Sequence, residues 1–119
     1  MLKKIVNVFG GDPNKKELEQ FGELVAEVND LEANYEALSD AELKAKTAWF
    51  KDRISTTQTG VESDSEKYEV VKDVLNEILP DAFATVREVS KRTLGQRHYD
   101  VQVISAAVLH KARISEMRT

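Results

Sequence analysis

The feature that most constrains the fold is a stripe of apolar residues separated by alternating steps of three and four. This spacing places them on one face of a helix, whereas a half-buried strand would alternate by two. A stripe this narrow requires a partner helix to cover it. The pattern therefore predicts a helix from Asn14 to about Leu38. The stripe consists of Phe21, Leu24, Val28, Leu31, Tyr35 and Leu38.

Two further helix starts carry a serine followed three residues later by a glutamate. In such a capping box the hydroxyl and the carboxylate satisfy exposed backbone amides reciprocally. The box of Ser39 and Glu42 predicts a helix to about Ile54, and the polar stretch 55–63 after it predicts an exposed loop. The box of Ser63 and Glu66 predicts a second helix beyond that loop.

This second helix follows a long apolar pattern to Leu94, where Gly95 can cap it. Pro80 interrupts the pattern, and proline lacks an amide donor and clashes with the preceding turn. We therefore predict a kink or a break near Leu79 and a fresh first turn at Pro80. A last helix is predicted to start at Asp100.

The expected fold class is mainly all-α, a small multi-helix assembly with a short C-terminal extended segment. The 119 residues suit one domain. We divide it into an amphipathic N-terminal segment (1–12), a helical region (14–94) with a loop near 55–63, and a final part (95–119). Because the strand-like residues after Lys111 have no sheet to join, we expect them to fray or to pair with another molecule.

Composition excludes several kinds of site. The chain has no cysteine and two histidines, which excludes disulfides, thiolate metal sites and histidine-rich metal sites. It also lacks the common hydrolase, metalloprotease and complete phosphate-loop motifs. We therefore predict no catalytic residues and no metal ligands, and expect the chain to be inactive as an enzyme by itself.

Charge is distributed unevenly along the chain. Residues 17–43 contain nine Asp or Glu and no Lys or Arg, whereas residues 87–118 contain seven Lys or Arg and three acidic residues. The acidic face is either solvated or a surface for a basic partner. The basic end is suited to facing phosphate groups.

The N-terminal segment is too short for a signal peptide or a membrane span, so we expect a cytoplasmic protein. Two interpretations remain open: a cap packed on neighbouring helices, or a surface anchor whose lysines attract anionic lipid. The residues expected to contact a membrane or a partner are Leu2, Lys3, Lys4, Ile5 and Phe9.

One turn has side chains suited to binding a base, from Gly95 to Gln102. A glutamine amide offers two donors and an acceptor, which can pair with the amino group and ring nitrogen of adenine. Tyr99 could stack on the base. The alternatives for Gln102 are a surface residue or a local helix cap.

Five segments in the same order resemble the N-terminal region of the SecA family, ATPases that drive preproteins through the SecY channel. The similarity covers roughly residues 34–119, with an apparent insertion around 56–77. The segments are Ser39 to Thr47, Leu79 to Arg92, Arg97 to Gln102, Val108 to His110 and Ile114 to Thr119.

The resemblance implies that Gln102 contacts the ATP base, with Gln96 and Tyr99 beside it. Met117, Arg118 and Thr119 would be the entry to the phosphate loop, and the chain is expected to be cut just before that loop. ATP and magnesium are therefore expected in the full-length protein and no cofactor for these 119 residues.

The resemblance also implies a SecY-type channel, preproteins and acidic membrane lipids as partners, with peripheral association at the inner face of the cell membrane. A homodimer is possible, and no nucleic acid is expected. The alternative function is a stand-alone, non-enzymatic helical interaction module. The chain departs from the family pattern at Ser105-Ala106, usually a glycine pair, and at Lys111-Ala112, usually an acidic residue and then glycine.

Overall fold

The computed structural model describes residues 13–117, with side chains from residue 15. This part of the chain forms four helices and no strand, which confirms the mainly all-α prediction. Residues 1–12, with the predicted membrane-contact residues Leu2, Lys3, Lys4, Ile5 and Phe9, and residues Arg118 and Thr119 lie outside it. The helices are α1 (Pro13–Glu36), α2 (Asp40–Gln58), α3 (Asp64–Leu94) and α4 (Asp100–His110).

The chain forms two compact units, each with its own core. The central unit is Val28–His98, and the terminal unit combines Met1–Glu27 with Tyr99–Thr119. In the central unit α2 packs against α3. The buried apolar side chains of the central unit include Val28, Tyr35, Leu43, Val74, Ile78 and Ala84, and those of the terminal unit include Phe21, Val25, Val103 and Ala107.

The predicted apolar stripe of α1 is largely covered within the chain. Phe21 is 6% exposed, Val28 is fully buried and Tyr35 is 3% exposed. The hydroxyl of Tyr35 also donates to Asp81 Oδ1 at 2.6 Å. The stripe therefore finds its partners within this chain, and the expectation of a homodimer draws no support from this face.

The capping box at the start of α2 is confirmed. Glu42 N–H donates to Ser39 Oγ at 3.2 Å, and Ser39 N–H donates to Glu42 Oε2 at 2.7 Å. The hydrogen bond from Ser39 N–H, and after it the bond that the Ser39 hydroxyl donates to Glu42 Oε2 at 2.8 Å, lower the pKa of the Glu42 carboxyl group. At α3 the second predicted box does not form, because Ser63 Oγ contacts Ser65 Oγ at 2.8 Å instead.

The loop predicted over 55–63 is shorter than expected, since α2 continues to Gln58. Hydroxyl groups in its last turns donate to backbone carbonyls of the same helix: Thr57 to Arg53 O at 2.8 Å and Ser55 to Asp52 O at 3.2 Å. Hydrogen bonds from serine and threonine side chains to the backbone often compete with helix formation. Here they satisfy the hydroxyl groups while the backbone stays helical. The loop therefore covers residues 59–63.

Of the kink or break predicted near Leu79, the break does not occur. Helix α3 runs without interruption through Pro80 for 31 residues. Proline removes one backbone hydrogen bond, but Pro80 is buried, as are Ile78 and Ala84 on the same helix. Burial of this apolar ring offsets the missing bond, so tertiary packing overrides the local preference. The end of the helix is as predicted, with Gly95 at φ +67°.

One arginine of α3, Arg92, contacts both the C-terminal end of α1 and the first residue of α2. Arg92 Nη2 donates to the carbonyls of Tyr35 at 3.1 Å and Leu38 at 2.7 Å, near the end of α1. Its other nitrogens donate to Glu88 Oε1 at 2.7 Å and Asp40 Oδ1 at 2.9 Å. A cation at a helix C-terminus is favoured by the helix dipole and satisfies carbonyls that have no intrahelical partner.

The end of α4 is a Schellman motif with an alanine in the left-handed position. Ala112 has φ +57°. Arg113 N–H donates to Val108 O at 3.2 Å, and Ala112 N–H donates to Leu109 O at 2.9 Å. Glycine suits this position because it has no Cβ. The conformation gives a physical reason for the glycine that the resembling family usually carries here.

We expect Ala112→Gly to raise the free energy of unfolding by about 0.5–1 kcal/mol. Relief of left-handed strain, about 1–2 kcal/mol, outweighs the larger entropy that glycine loses on folding. The control is Ala106→Gly within α4, which should lower stability by about 0.5–1 kcal/mol. Urea unfolding measures both changes in the free energy of unfolding. If the two changes had the same sign, the left-handed conformation at residue 112 would not account for the effect.

Candidate functional site

The predicted base-binding turn follows the glycine cap of α3. Ser90 Oγ donates to the carbonyl of Gln96 at 2.7 Å, which fixes the turn immediately after the helix. Gln96 is exposed and belongs to the central unit, whereas Tyr99 and Gln102 belong to the terminal unit. The structure thus places Tyr99 and Gln102 together at the start of α4.

Gln102 lies in the first turn of α4, three residues after Tyr99. Its Oε1 accepts a hydrogen bond from Tyr99 N–H at 2.8 Å, so the side chain caps the helix. The Gln102 side chain is exposed, and the Tyr99 ring is 72% exposed. The cap uses one lone pair of the amide oxygen, so a second lone pair and both N–H groups remain for a ligand. The local cap and the base-reading role are therefore compatible.

Arg97 is anchored in the central unit by a paired contact with α1. Its Nε and Nη2 donate to Glu32 Oε1 at 2.5 Å and Oε2 at 2.7 Å. The hydrogen bond from Arg97 is the main cause that lowers the pKa of Glu32, and partial burial opposes it. A two-bond arginine contact fixes direction as well as distance. It holds the central-unit part of the turn, residues 95–98, on α1.

We expect Glu32 to contribute a pH-dependent part of stability. Because its pKa is lowered in the folded state, this part is fully present above the ordinary value of 4.5 and is lost as the pH falls through the lowered pKa. Urea unfolding between pH 7 and pH 3 should show a smaller pH dependence for Glu32→Gln than for the wild type. Arg97→Gln removes the main cause of the lowered pKa and should also reduce the pH dependence of stability; an unchanged profile in both variants would contradict the prediction.

The uneven charge along the chain serves internal pairing. Acidic residues of the 17–43 segment contact basic residues of the 87–118 segment within each unit. Glu19, Glu23 and Glu27, which form the acidic face of α1, are exposed. The pairs are Glu17 with Arg113 at 2.5 Å, Glu32 with Arg97 at 2.5 Å and with Arg87 at 3.9 Å, Glu36 with Lys91, and Asp40 with Arg92 at 2.9 Å.

The entry to the predicted phosphate loop is described as far as Met117, which is 41% exposed. Among residues 13–117 there is no group of three or more His, Cys, Asp or Glu able to hold a metal ion. The described helices include none that is long and apolar enough to cross a membrane. The central unit has one further feature, a groove of about 420 Å³ lined by Asp40, Leu43, Lys44, Thr47, Thr85, Val89, Arg92 and Thr93.

Comparison with known proteins decides the family. The sequence matches the family model described as the SecA DEAD-like domain over residues 3–119. The chain belongs to the SecA family. The protein translocase subunit SecA of Synechocystis sp. is 46% identical over 109 residues, which are 92% of this chain and 11% of the relative. SecA of Neisseria meningitidis serogroup A is 46% identical over all 119 residues, 11% of its own length.

The chain therefore spans about a tenth of the length of these SecA relatives. No solved structure matches it. Membership of the SecA family confirms the resemblance that the five sequence segments indicated. The sequence did not reveal the Glu32 and Arg97 pair or the contacts of Arg92. Complementary charges on two segments were its only signal for these contacts, and that signal does not specify partners.

Proposed function

We propose that the chain is the N-terminal part of an ATP-driven protein translocase and that it contributes adenine recognition. The relatives are each named protein translocase subunit SecA, which supports the motor function of the full-length protein. The observation that carries the adenine assignment is the start of α4, where the exposed Tyr99 ring and the capped Gln102 amide are held three residues apart.

The chemistry of this helix start fits a purine base. A second lone pair of Gln102 Oε1 accepts from the adenine amino group, and Nε2 donates to the neighbouring ring nitrogen. The Tyr99 ring, which is 72% exposed, offers a stacking face. The cap fixes the Gln102 side chain before the ligand arrives, which lowers the entropy lost on binding.

The phosphates belong to the loop that Met117, Arg118 and Thr119 would enter in the full-length protein. We propose that this loop would hold magnesium as well. This chain would position the base and leave catalysis to the remainder. The proposed partners are a SecY-type channel, preproteins and acidic lipids, with Leu2, Lys3, Lys4, Ile5 and Phe9 as the contact residues at the membrane.

The test is nucleotide binding by calorimetry on the 119-residue chain beside a chain extended through the complete motor domain. We expect tight binding by the extended chain alone. Gln102→Glu keeps an oxygen that caps Tyr99 N–H but removes the amide donors, so the fold is retained while base reading is lost. ATP affinity should fall about tenfold, within the 1–3 kcal/mol of a paired base contact.

The preference for ATP over GTP should shrink in the same variant, because the lost contacts are specific to adenine. Gln58→Ala, an exposed glutamine at the end of α2, is the matched control and should change neither affinity nor preference. Tight ATP binding by the 119-residue chain, or unchanged adenine preference in Gln102→Glu, would contradict the proposal.

A further inference from the structure

The segment after α4 is held by side chains rather than by a sheet. Residues 113–117, which we call the lead-in segment, connect the end of α4 to the proposed phosphate loop. Ser115 is half-buried while its neighbour Ile114 is 96% exposed. Ser115 is the half-buried residue of this segment, and Arg113, Ile114, Glu116 and Met117 are exposed.

The lead-in segment contacts α4 through a pair of hydroxyl groups. Ser105 Oγ and Ser115 Oγ are hydrogen-bonded across ten residues of sequence. Ser105 is only 8% exposed, although it is polar. A buried hydroxyl that loses its partner is costly, so this bond favours one position of the lead-in segment on α4. A glycine at position 105 could not form this hydrogen bond, because it has no side chain.

The start of the segment has its own anchors within the terminal unit. The Schellman motif at Ala112 sets the direction in which the chain leaves α4. Arg113 Nη1 then contacts Glu17 Oε2 at 2.5 Å, and Lys111 Nζ lies 4.9 Å from the centre of the Phe21 ring. The side chain of Arg113 is 56% exposed and that of Glu17 is 30% exposed, so this ion pair is weak and the hydroxyl pair is the principal fixed point of residues 113–117.

We propose that Ser105 and Ser115 are positioning residues that set the lead-in segment relative to Gln102 for nucleotide binding. Ser105 lies three residues after Gln102 on the same helix, a rise of about 4.5 Å. The hydroxyl pair therefore links the helix that reads the base to the segment that enters the phosphate loop. This inference rests on the proposed function, because it assumes that base and phosphates are bound at the two ends of this connection.

The first experiment measures amide hydrogen exchange in the 119-residue chain. Ser105→Ala and Ser115→Ala should each increase exchange at residues 113–117 and leave α2 and α3 unchanged. Ser55→Ala is the matched control, because the hydroxyl of Ser55 donates only within its own helix, to Asp52 O. Exchange at 113–117 that is unchanged in both variants would overturn the proposal.

The second experiment measures the Kd for ATP in the extended chain. Each single variant should weaken binding about fivefold, as loss of one net hydrogen bond predicts. The double variant should be no weaker than either single one, because both changes remove the same bond. Effects that multiply in the double variant, or unchanged affinity in all three, would overturn the proposal.

The two proposals fail in different ways. Unchanged adenine preference in Gln102→Glu contradicts base reading, while the exchange experiment still reports on the hydroxyl pair. If Gln102→Glu weakens ATP binding and the serine variants do not, adenine recognition stands and the positioning role alone is wrong.

Discussion

Arg87→Ala is expected to lower the free energy of unfolding by about 2–5 kcal/mol, because truncating this buried side chain leaves a cavity and removes the hydrogen-bond partner of Asn29. Arg87 is 3% exposed on α3. Its Nη1 donates to Asn29 Oδ1 at 2.6 Å and lies 3.9 Å from Glu32 Oε2. The substitution removes both contacts with α1 and leaves a cavity in place of the long side chain.

Two further variants separate the causes of this loss. Arg87→Met retains most of the volume and deletes the charge, so it should lose only about 1–3 kcal/mol for the polar contacts. Arg53→Ala is the control on the exposed surface: its side chain is 41% exposed and pairs with Glu77, so about 0–1 kcal/mol is expected. Urea unfolding measures all three, and equal losses for Arg87→Ala and Arg53→Ala would show that burial is not decisive.

Ile78→Ala is expected to lower the free energy of unfolding by about 2–5 kcal/mol, because it leaves a cavity where the central unit is packed. Ile78 is 5% exposed on α3, the helix that packs on α2. The matched control is Val86→Ala on the same helix, where the valine is 57% exposed and a change within about 0.5 kcal/mol is expected.

The variants Ile78→Ala and Val86→Ala also test which face of α3 is buried before and after Pro80. Thermal and urea unfolding followed by circular dichroism should show a single transition shifted by Ile78→Ala. A small loss at Ile78 together with a large one at Val86 would mean that a different face of α3 is buried.

Much of the fold could be predicted from local chemistry. The spacing of Phe21, Leu24 and Val28 is a property of the chain itself, and so is the capping box at Ser39, because both depend on residues three or four apart. The left-handed glycine that ends α3 follows from the same kind of rule. Motif order likewise indicated the SecA family and singled out Gln102 as a candidate base-reading residue.

Other features depended on partners distant in sequence. Pro80 remains inside a helix because its ring is buried, which no local rule can supply. Arg97 finds Glu32 across 65 residues, and Arg92 reaches Leu38 across 54. The sequence contains these charged residues but does not show which of them pair, since each arginine or lysine could contact any of several acidic residues.

For the candidate site too, some features could be predicted from the sequence and others required the tertiary structure. The type and spacing of Tyr99 and Gln102 were fixed by the sequence, because they occupy one turn of one helix. That Gln102 is also a cap, and that Ser115 contacts Ser105, required the three-dimensional structure. Local periodicity determines which faces a helix has, whereas only tertiary packing decides which side chain meets each face and which polar group is left for a ligand.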